Sequence, residues 1–525
     1  MTDGRRRWEA RSLSRDAAPV STVDVDRRGL LARGIGWNAA YQLCETLLAF
    51  AAMMVLARVI PPAEYGRFGA VLGVLIVVNS LNFSRFAAHA LQSPDGQEPD
   101  WSLHWAAGMY IQTALMLLCH GIAGLCWLVG DYRPVAPLLH LAAFGIVLDW
   151  PARLCDVMLR REMGFFRLRV LFACSTLLNL GSTIIAGLAG AGAYAIVLGG
   201  NVLTPLPFVV DLLLIRRWRP APGWWRPNWR RYIPSLRFGF QQSGSTLLAA
   251  ACGGLESVVL PVAVGFAPIG WLSRSRALFG STVGRAAQVL LETGYPLLPR
   301  YAGDPVLYAR QATLFLQVSV LLLAPGAIYL GLEGPALSRL VYGDRWIAAD
   351  PLLWPAALAG LGVGGFSAAS AVMLAAGRLR ACLVLDAVGA AMSVPLVVVA
   401  WTTAEVVTYG WAFGAGQLTL GAIALAAASP RLTVDWARTA LVPPAVATLI
   451  AAGAVIAADR LAIASGFTAR LLFDTAIYFL TLALSLRTLF PCSVAAILRR
   501  VPGGERVGGW LRLSLSRVPL ETTER

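Results

Sequence analysis

Long apolar runs recur along most of this 525-residue chain, and they constrain its fold more than any other feature. A helix rises about 1.5 Å per residue, so about 20 consecutive apolar residues span the hydrocarbon of a bilayer. Hydrophobic residues make up 57% of the chain and charged residues only 14%, which is too apolar for a set of soluble domains. The sequence therefore predicts an all-α, polytopic membrane protein.

Short connections separate these runs, so each run is predicted to be one transmembrane helix. The first two form a hairpin, because Pro61 and Pro62 in the connection cannot continue a helix and Gly66 relaxes the turn beyond them. The fourteen predicted spans cover residues 34–58, 65–91, 104–129, 135–158, 168–189, 192–215, 238–264, 267–298, 311–331, 351–375, 380–401, 406–428, 439–458 and 468–488.

The placement of the basic residues predicts the orientation of the chain. All 44 basic residues are arginine and the formal net charge is +15, which in a soluble protein would suggest nucleic acid as a partner. In membrane proteins, however, short cytoplasmic loops retain arginine. Counted by connection, 34 arginines lie on the side shared by both termini, 7 lie on the other side and 3 lie inside the eighth run. This alternation predicts two cytoplasmic termini, with membrane lipids rather than nucleic acid as the partner of the basic surface.

Weak internal repetition divides the chain into halves. Residues 194–199 recur in spacing as residues 409–414, and six runs separate the copies, as in parallel repeats. We therefore expect two six-helix lobes around a central cleft, followed by two further helices. We also expect the N-terminal arm to be retained, because no clear cleavage site follows it. The predicted units are a cytoplasmic basic arm (1–33), an N-lobe (34–215), a cytoplasmic Arg/Trp linker (216–237), a C-lobe (238–428), helices 13 and 14 (429–488) and a cytoplasmic tail (489–525).

No residue pattern points to an enzyme. The eight cysteines lie in or beside apolar runs without C-x-x-C spacing, and the four histidines lack metal-ligand spacing. Neither a Ser/His/Asp arrangement nor a Gly-rich phosphate loop is present. The longest loop on the side away from the termini, about residues 333–350, is too short for the outer domain of a glycosyl transferase or ligase. We expect a transporter without a cofactor or metal.

Ionisable residues inside the runs are the candidate site, since a charge in hydrocarbon costs roughly 3 kcal/mol or more unless it faces a cavity or a partner. Arg285 lies deep in the eighth span, and Arg85 lies in the inner part of the second. The planar guanidinium group of arginine stays charged and suits a phosphate or pyrophosphate. The predicted cleft cations are Arg85, Arg274, Arg276 and Arg285, and the predicted polar lining of the cleft is Asn79, Asn82, Gln241, Gln242 and Gln288.

Other charges in the spans leave several interpretations open. Asp149 and Arg153 are four residues apart on one predicted helix and are expected to pair with each other. Arg274 and Arg276 lie near the outer start of their span, where they either reach the interface or face the cleft. Coupling to a proton or sodium gradient would need a buried carboxylate, and the candidates for it are Glu45, Glu256 and Glu292.

Several of these segments together resemble the polysaccharide biosynthesis (Wzx-like) flippases of the multidrug/oligosaccharidyl-lipid/polysaccharide (MOP) superfamily. The resemblance covers roughly residues 30–430. It rests on Gly36-Trp37, on residues 57–66 (Ala-Arg-Val-Ile-Pro-Pro-Ala-Glu-Tyr-Gly), on residues 255–260 and on residues 341–346. It implies alternating access between two lobes and movement of an undecaprenyl-pyrophosphate-linked oligosaccharide from the inner to the outer leaflet of a bacterial cytoplasmic membrane. A polysaccharide polymerase or export machinery would be the protein partner.

Two related functions remain as alternatives at this point. A multidrug and toxin extrusion (MATE)-like drug/cation antiporter of the same superfamily would couple through Glu45, the only carboxylate in the first span. A peptidoglycan lipid-precursor flippase would also have fourteen spans and a cationic cleft. A polymerase or ligase is disfavoured by the short loops.

Overall fold

The chain is helical throughout the part that the computed structural model describes, which comprises residues 44–92, 98–461 and 466–498. Turns connect the helices, and these residues contain no β-strand. The predicted all-α class is therefore confirmed. The predicted basic arm, residues 34–43 of the first span and residues 499–525 of the tail lie outside the described residues.

Each of the fourteen predicted spans overlaps a long helical segment, and these segments are numbered α1 to α14. α1 covers residues 44–59, α2 Pro62–Asn79, α3 Trp101–Leu128, α4 Ala136–Arg161, α5 Phe165–Leu188, α6 Ala193–Ile215, α7 Trp229–Val264, α8 Phe266–Phe279 with a π turn (Gly280–Gly284) and Arg285–Gly294, α9 Pro305–Leu332, α10 Leu353–Ala375, α11 Leu379–Ala391 with Ser393–Thr403, α12 Val406–Ala428, α13 Val442–Arg460 and α14 Phe467–Leu489. Shorter helical pieces connect them: Phe83–Ala87, Ala88–Gln92, Gly130–Tyr132, Tyr295–Tyr301, Gly334–Tyr342, Asp344–Leu352, Ser429–Arg431 and Ala437–Leu441. A further short helix, Pro491–Leu498, follows α14.

Eleven helical segments of the described chain are long and apolar enough to cross a membrane. The segments outside that group are α1, of which only residues 44–59 are described, and α7 and α8, which carry more polar residues or a π turn. The protein is thus a multi-pass membrane protein. The total of fourteen crossings stays a prediction.

α7 begins earlier than the sequence pattern indicates. The apolar run starts at residue 238, but the helix starts at Trp229 and includes Pro234 in its second turn. Arginines at this end of the helix break the apolar pattern without breaking the helix, because a helix that leaves the membrane can carry charge. The Arg/Trp linker between α6 and α7 is therefore shorter than the predicted 216–237.

The helices pack as two bundles and an added pair. α2, α3, α4 and α6 enclose one core that includes Val71, Leu75 and Leu139, and α9, α10 and α12 enclose another that includes Leu316 and Val372. α13 and α14 pack on each other and on α9. Two helices are thus added to the bundles, and the assignment of six helices to each lobe stays a prediction.

Small residues let α2 of the first bundle approach α7 and α8 of the second. A Cβ atom added to Gly66 would lie 1.8 Å from the carbonyl oxygen of Phe266, and one added to Gly73 would lie 2.6 Å from Cβ of Ser257. Gly265, with φ of 89°, turns the chain directly from α7 into α8 at this contact. The two lobes therefore meet along α2 by backbone-to-backbone packing.

Candidate functional site

The turn between α1 and α2 lies against the segment between α9 and α10, at the end of the molecule here called the hairpin face. The indole N–H of Trp346 donates to the carbonyl oxygen of Ala57 at 2.8 Å, and Nη2 of Arg58 donates to the carbonyl oxygen of Leu340 at 2.7 Å. Trp346 is 0% exposed. The sequence predicted this α9–α10 segment as a simple loop, whereas it forms Gly334–Tyr342 and Asp344–Leu352 and contacts the other lobe.

Aromatic rings extend the same contact. The rings of Tyr65 and Trp346 meet edge to face, with centroids 5.5 Å apart, and the hydroxyl oxygen of Tyr342 lies 3.6 Å from Sδ of Met53. These groups join the first lobe to the second over a sequence separation of almost 290 residues. Together they form one contact between the lobes, here named the hairpin-face gate, which consists of Ala57, Arg58, Tyr65, Leu340, Tyr342 and Trp346.

Arg274, a predicted cleft cation, lies at this gate. Its Cζ atom is 4.3 Å from the centroid of the Tyr65 ring, and its carbonyl oxygen accepts from the Tyr342 hydroxyl at 3.3 Å. Its Nε atom is buried without a hydrogen-bond partner among the described residues. A cation over an aromatic face contributes roughly 0.5–2 kcal/mol, depending on its solvation. Arg274 therefore has a structural contact between the lobes.

Arg276, two residues later, is paired inside the second lobe. Its Nη1 atom lies 2.9 Å from Oε1 of Glu256 on α7, and its Cζ atom is 4.0 Å from the centroid of the Phe413 ring on α12. The predicted cation Arg276 and the predicted coupling carboxylate Glu256 thus neutralise each other. They connect α7, α8 and α12.

Arg85 lies where α2 is interrupted. After Asn79 the helix breaks, and Asn82 caps the short helix Phe83–Ala87 by accepting a hydrogen bond from the Ser84 amide at 2.9 Å. The Arg85 side chain is half-buried, and within the described ranges no carboxylate pairs with it. This position combines a cation, a break in a membrane helix and polar neighbours.

A charged stripe on α4 lies beside this break. Nδ2 of Asn82 donates to Asp149 at 2.6 Å, and Asp149 pairs with Arg153 at 3.0 Å, as the i, i+4 spacing predicted. One helical repeat further, Asp156 pairs with Arg160 at 2.8 Å. The four charged residues share one face of α4, where they are half-buried or exposed. Charges at these positions need water, because hydrocarbon would not solvate them.

Arg285 begins the part of α8 that follows the π turn. Its Nη1 atom donates to Oε1 of Gln288 at 3.3 Å, and Nε2 of Gln288 donates to Oε1 of Glu292 at 2.9 Å. The three residues are spaced i, i+3 and i+7, so they lie on one helix face. Gln288 and Glu292 are exposed and Arg285 is half-buried. α8 therefore carries a polar stripe of its own.

The remaining candidates have fewer contacts. Asn79 and Gln241 are exposed, and Glu45 is half-buried on the described part of α1. Gln242 lies in α7, and its side chain is outside the described part of the chain. Of the predicted site residues, the structure therefore pairs Arg276 with Glu256, links Arg285 with Gln288 and Glu292, and places Arg274 against Tyr65.

Two contacts were missed in the sequence. His120 of α3 and His140 of α4 bring their Nδ1 atoms to 2.7 Å, although 20 residues separate them in the chain. Trp218 of the linker packs on Trp105 with ring centroids 5.3 Å apart. Part of the linker is thus anchored on the first lobe instead of lying only on the membrane. Neither contact has a local spacing signal that could have revealed it.

Two helix bundles joined along α2, with half-buried charges on membrane helices, define the class of this protein as a multi-pass helical membrane protein. Solved structures show the same fold. An inward-closed structure of the lipid II flippase MurJ aligns with a TM-score of 0.70 at 12% identity, covering 86% of this chain and 98% of that one. An inward-facing MATE-family multidrug resistance transporter of the MOP superfamily aligns with a TM-score of 0.55 at 16% identity, covering 74% of this chain and 94% of that one.

Sequence comparison makes the assignment more specific. Residues 55–351 match the model of the family described as polysaccharide biosynthesis protein, and the chain belongs to this family. It is 20% identical over 328 residues to an uncharacterized membrane protein in the cps region of Klebsiella pneumoniae, covering 62% of this chain and 67% of that protein. It is 24% identical over 327 residues to the succinoglycan biosynthesis transport protein ExoT of Rhizobium meliloti, covering 61% and 64%. The matches thus span about two thirds of each relative.

Proposed function

We propose that this protein is a flippase that moves an undecaprenyl-pyrophosphate-linked oligosaccharide from the inner to the outer leaflet of a bacterial cytoplasmic membrane. Its family is described by polysaccharide biosynthesis, and the name of the Rhizobium relative describes transport in succinoglycan biosynthesis. The fold it shares with MurJ and MATE transporters supports alternating access between two lobes. A lipid-linked oligosaccharide accounts for both the transporter fold and the polysaccharide family.

The position of the hairpin-face gate supports a direction of transport. The arginine count favours the hairpin face as the outer face, since both termini and most arginines belong to the opposite side. With that orientation, the contact of Trp346 with Ala57 closes the outer side between the lobes. Substrate would then enter from the inner side, and separation of the gate would release it outward.

Arg85 is the observation that carries the proposal. A half-buried cation at a helix break, next to Asn82 and without a carboxylate partner in the described chain, is suited to an anionic group of a substrate. Arg285 is proposed as its counterpart on α8, where Gln288 adds an amide. Arg276 already has Glu256, and Arg274 takes part in the gate. Arg85 and Arg285 are therefore the proposed pyrophosphate ligands.

The other parts of the substrate need different surroundings. The exposed amides of Asn79, Gln241 and Gln288 can donate to and accept from sugar hydroxyls, and Gln242 is proposed to do the same. The prenyl chain would stay in lipid at a lateral opening, since its transfer into a polar space would lose hydrophobic stabilisation. Rocking of the lobes would then carry the headgroup across.

Charge-removing variants test the proposal. Arg85→Gln and Arg285→Gln each remove one charged hydrogen-bond donor group, which contributes about 1.5–3 kcal/mol to binding, so transport should fall roughly 10-fold to 150-fold. The readouts are surface polysaccharide and the amount of lipid-linked oligosaccharide left in the inner leaflet. Arg226→Gln is the matched control, because Arg226 is exposed in the linker and the same charge is lost.

The outcomes separate the proposed function from its alternatives. Normal polysaccharide in both the Arg85→Gln and the Arg285→Gln variant would contradict the binding site. Growth arrest on depletion, with peptidoglycan precursor accumulating, would point to a precursor flippase instead. Ion-driven dye efflux that is lost in Glu45→Gln would indicate an antiporter.

A further inference from the structure

A group of charges, of which Glu333 and Asp474 are buried and Asp459 and Arg470 are exposed, lies where α9, α13 and α14 meet at the hairpin face. Nη2 of Arg470 is 2.7 Å from Oδ1 of Asp459, and Nε of Arg470 is 3.7 Å from Oδ2 of Asp474. Glu333, the residue that follows α9, interacts electrostatically with both aspartates and with Arg470. These four residues, Glu333, Asp459, Arg470 and Asp474, are called the hairpin-face acid cluster.

The cluster has more acidic than basic groups, and two of its acidic groups are buried. Its three carboxylates face one guanidinium group, so full ionisation would leave two negative charges in excess. Asp474 is 2% exposed and its Oδ2 atom lacks a hydrogen-bond partner among the described residues. Glu333 is 8% exposed, and within the described ranges its carboxyl group has neither a hydrogen bond nor an ion pair. Like charges at close range and low solvation favour retention of a proton.

The charged groups around Glu333 favour the binding of a proton by its carboxyl group. Burial, together with the negative charges of Asp474 and Asp459, raises the pKa of Glu333 to about 7, and Arg470 opposes this shift. Tyr329, one turn earlier on α9, is the other titratable group beside it, and its hydroxyl is engaged with Thr475 at 2.6 Å. Residues 462–465, between α13 and α14, contain no titratable side chain. Arg470 is largely exposed, so water and protons can reach the cluster.

Glu333 directly precedes the segment that carries the second lobe's residues of the hairpin-face gate. It is the N-cap residue of the helix Gly334–Tyr342, and its carbonyl oxygen accepts the Leu337 amide at 2.8 Å. Two turns further, this helix supplies Leu340 and Tyr342 to the hairpin-face gate, and Trp346 follows. A displacement of Glu333 therefore moves the residues that close the two lobes.

We propose that the hairpin-face acid cluster is a proton-binding site that holds the gate closed when Glu333 is protonated. Loss of the proton adds a second excess negative charge to a buried site, and this charge is relieved when Glu333 and the helix it starts move toward water. Rising pH on the hairpin face thus favours the open gate. If the proposed flippase function is correct, this proton is the coupling ion, taken up from the outer side to reset the carrier.

Hydrogen–deuterium exchange on the full chain in lipid nanodiscs tests this inference without substrate. After correction for intrinsic exchange, protection of residues 334–346 should fall about tenfold or more between pH 5.5 and pH 8.5, because a carboxyl with pKa near 7 ionises in this range. Glu333→Gln, which imitates the protonated form, should keep the segment protected throughout. Asp474→Asn removes a neighbouring negative charge and should move the midpoint to lower pH.

Glu405→Gln is the matched control, since Glu405 is an exposed carboxylate that precedes α12 on the same face, outside the cluster. It should leave the midpoint unchanged. Protection that is independent of pH in the wild type, or that titrates unchanged in both Glu333→Gln and Asp474→Asn, would overturn the inference. A response to sodium chloride at fixed pH, in place of a response to pH, would also overturn it. A normal pH response with unaffected polysaccharide in the Arg85→Gln and Arg285→Gln variants would contradict only the proposed substrate site.

Discussion

Replacing Trp346 by alanine should weaken the closed gate without unfolding the lobes. Trp346 is 0% exposed, and truncation of a buried tryptophan costs about 3–5 kcal/mol. Part of that cost is the loss of packing within its own lobe, where its ring contacts the ring of Tyr342. The contacts that cross to the other lobe are the hydrogen bond to Ala57 and the edge of the Tyr65 ring. These two contribute about 2 kcal/mol to closure, which corresponds to a ~30-fold shift toward the open state.

Accessibility of Ala57 measures this shift directly. Ala57 is fully buried at the gate, so a cysteine placed there should react with a bulky maleimide in proportion to the open fraction. In nanodiscs at fixed pH, Ala57→Cys combined with Trp346→Ala should label about 30-fold faster than Ala57→Cys alone. Labelling of the native cysteines, measured in the parent without Ala57→Cys, is subtracted.

A graded series separates packing from hydrogen bonding. Trp346→Phe keeps an aromatic ring but loses the donor to the Ala57 carbonyl, so labelling should rise only about fivefold, for about 1 kcal/mol. Trp127→Ala is the control, because Trp127 lies at the hairpin-face end of α3 and is 50% exposed. Equal labelling in the wild type and in Trp346→Ala, or equal acceleration by Trp127→Ala, would refute the role of Trp346 in the gate.

Two further predictions concern the scaffold. Gly66→Ala places a Cβ atom 1.8 Å from a carbonyl oxygen of α8, so the lobes must separate and thermal stability should fall by about 1–3 kcal/mol, while Gly124→Ala, which meets nothing within 4 Å, should be neutral. Asp211→Asn removes a 2% exposed carboxylate that binds two arginines, so it should destabilise the protein by about 3–5 kcal/mol, whereas the exposed Asp131→Asn should change stability little. Thermal unfolding in detergent measures both, and unchanged stability in Gly66→Ala or in Asp211→Asn would contradict the corresponding packing argument.

Much of the architecture could be predicted because it depends on local composition. Apolar run length predicted the positions of the long helices, and Pro61 followed by Pro62 predicted the hairpin, in which Pro62 is the first residue of α2. The pairing of Asp149 with Arg153 was also predicted correctly, since residues four apart share a helix face. The start of α7 at Trp229 was missed, because hydropathy marks the membrane and not the end of a helix.

The candidate site could be predicted only in part. The sequence marked Arg85, Arg274, Arg276 and Arg285 as unusual cations inside the apolar runs. It could not show which of them are neutralised by a carboxylate. Glu256 is 20 residues from the Arg276 that it neutralises, and it lies on a different helix. The α9–α10 segment was predicted as a loop, because the prediction relied on apolar runs long enough to cross a membrane, and a nine-residue amphipathic helix is too short to be one.

The sequence by itself determined that the chain lies in a membrane as a succession of helices, because the length and polarity of each run decide whether it is stable in lipid or in water. It also determined which neighbours three or four residues apart would meet, because helix geometry is local. Only the tertiary structure decided which charges are neutralised and where the lobes close. Trp346 and Ala57 are 289 residues apart, and their contact depends on how two complete bundles pack against each other.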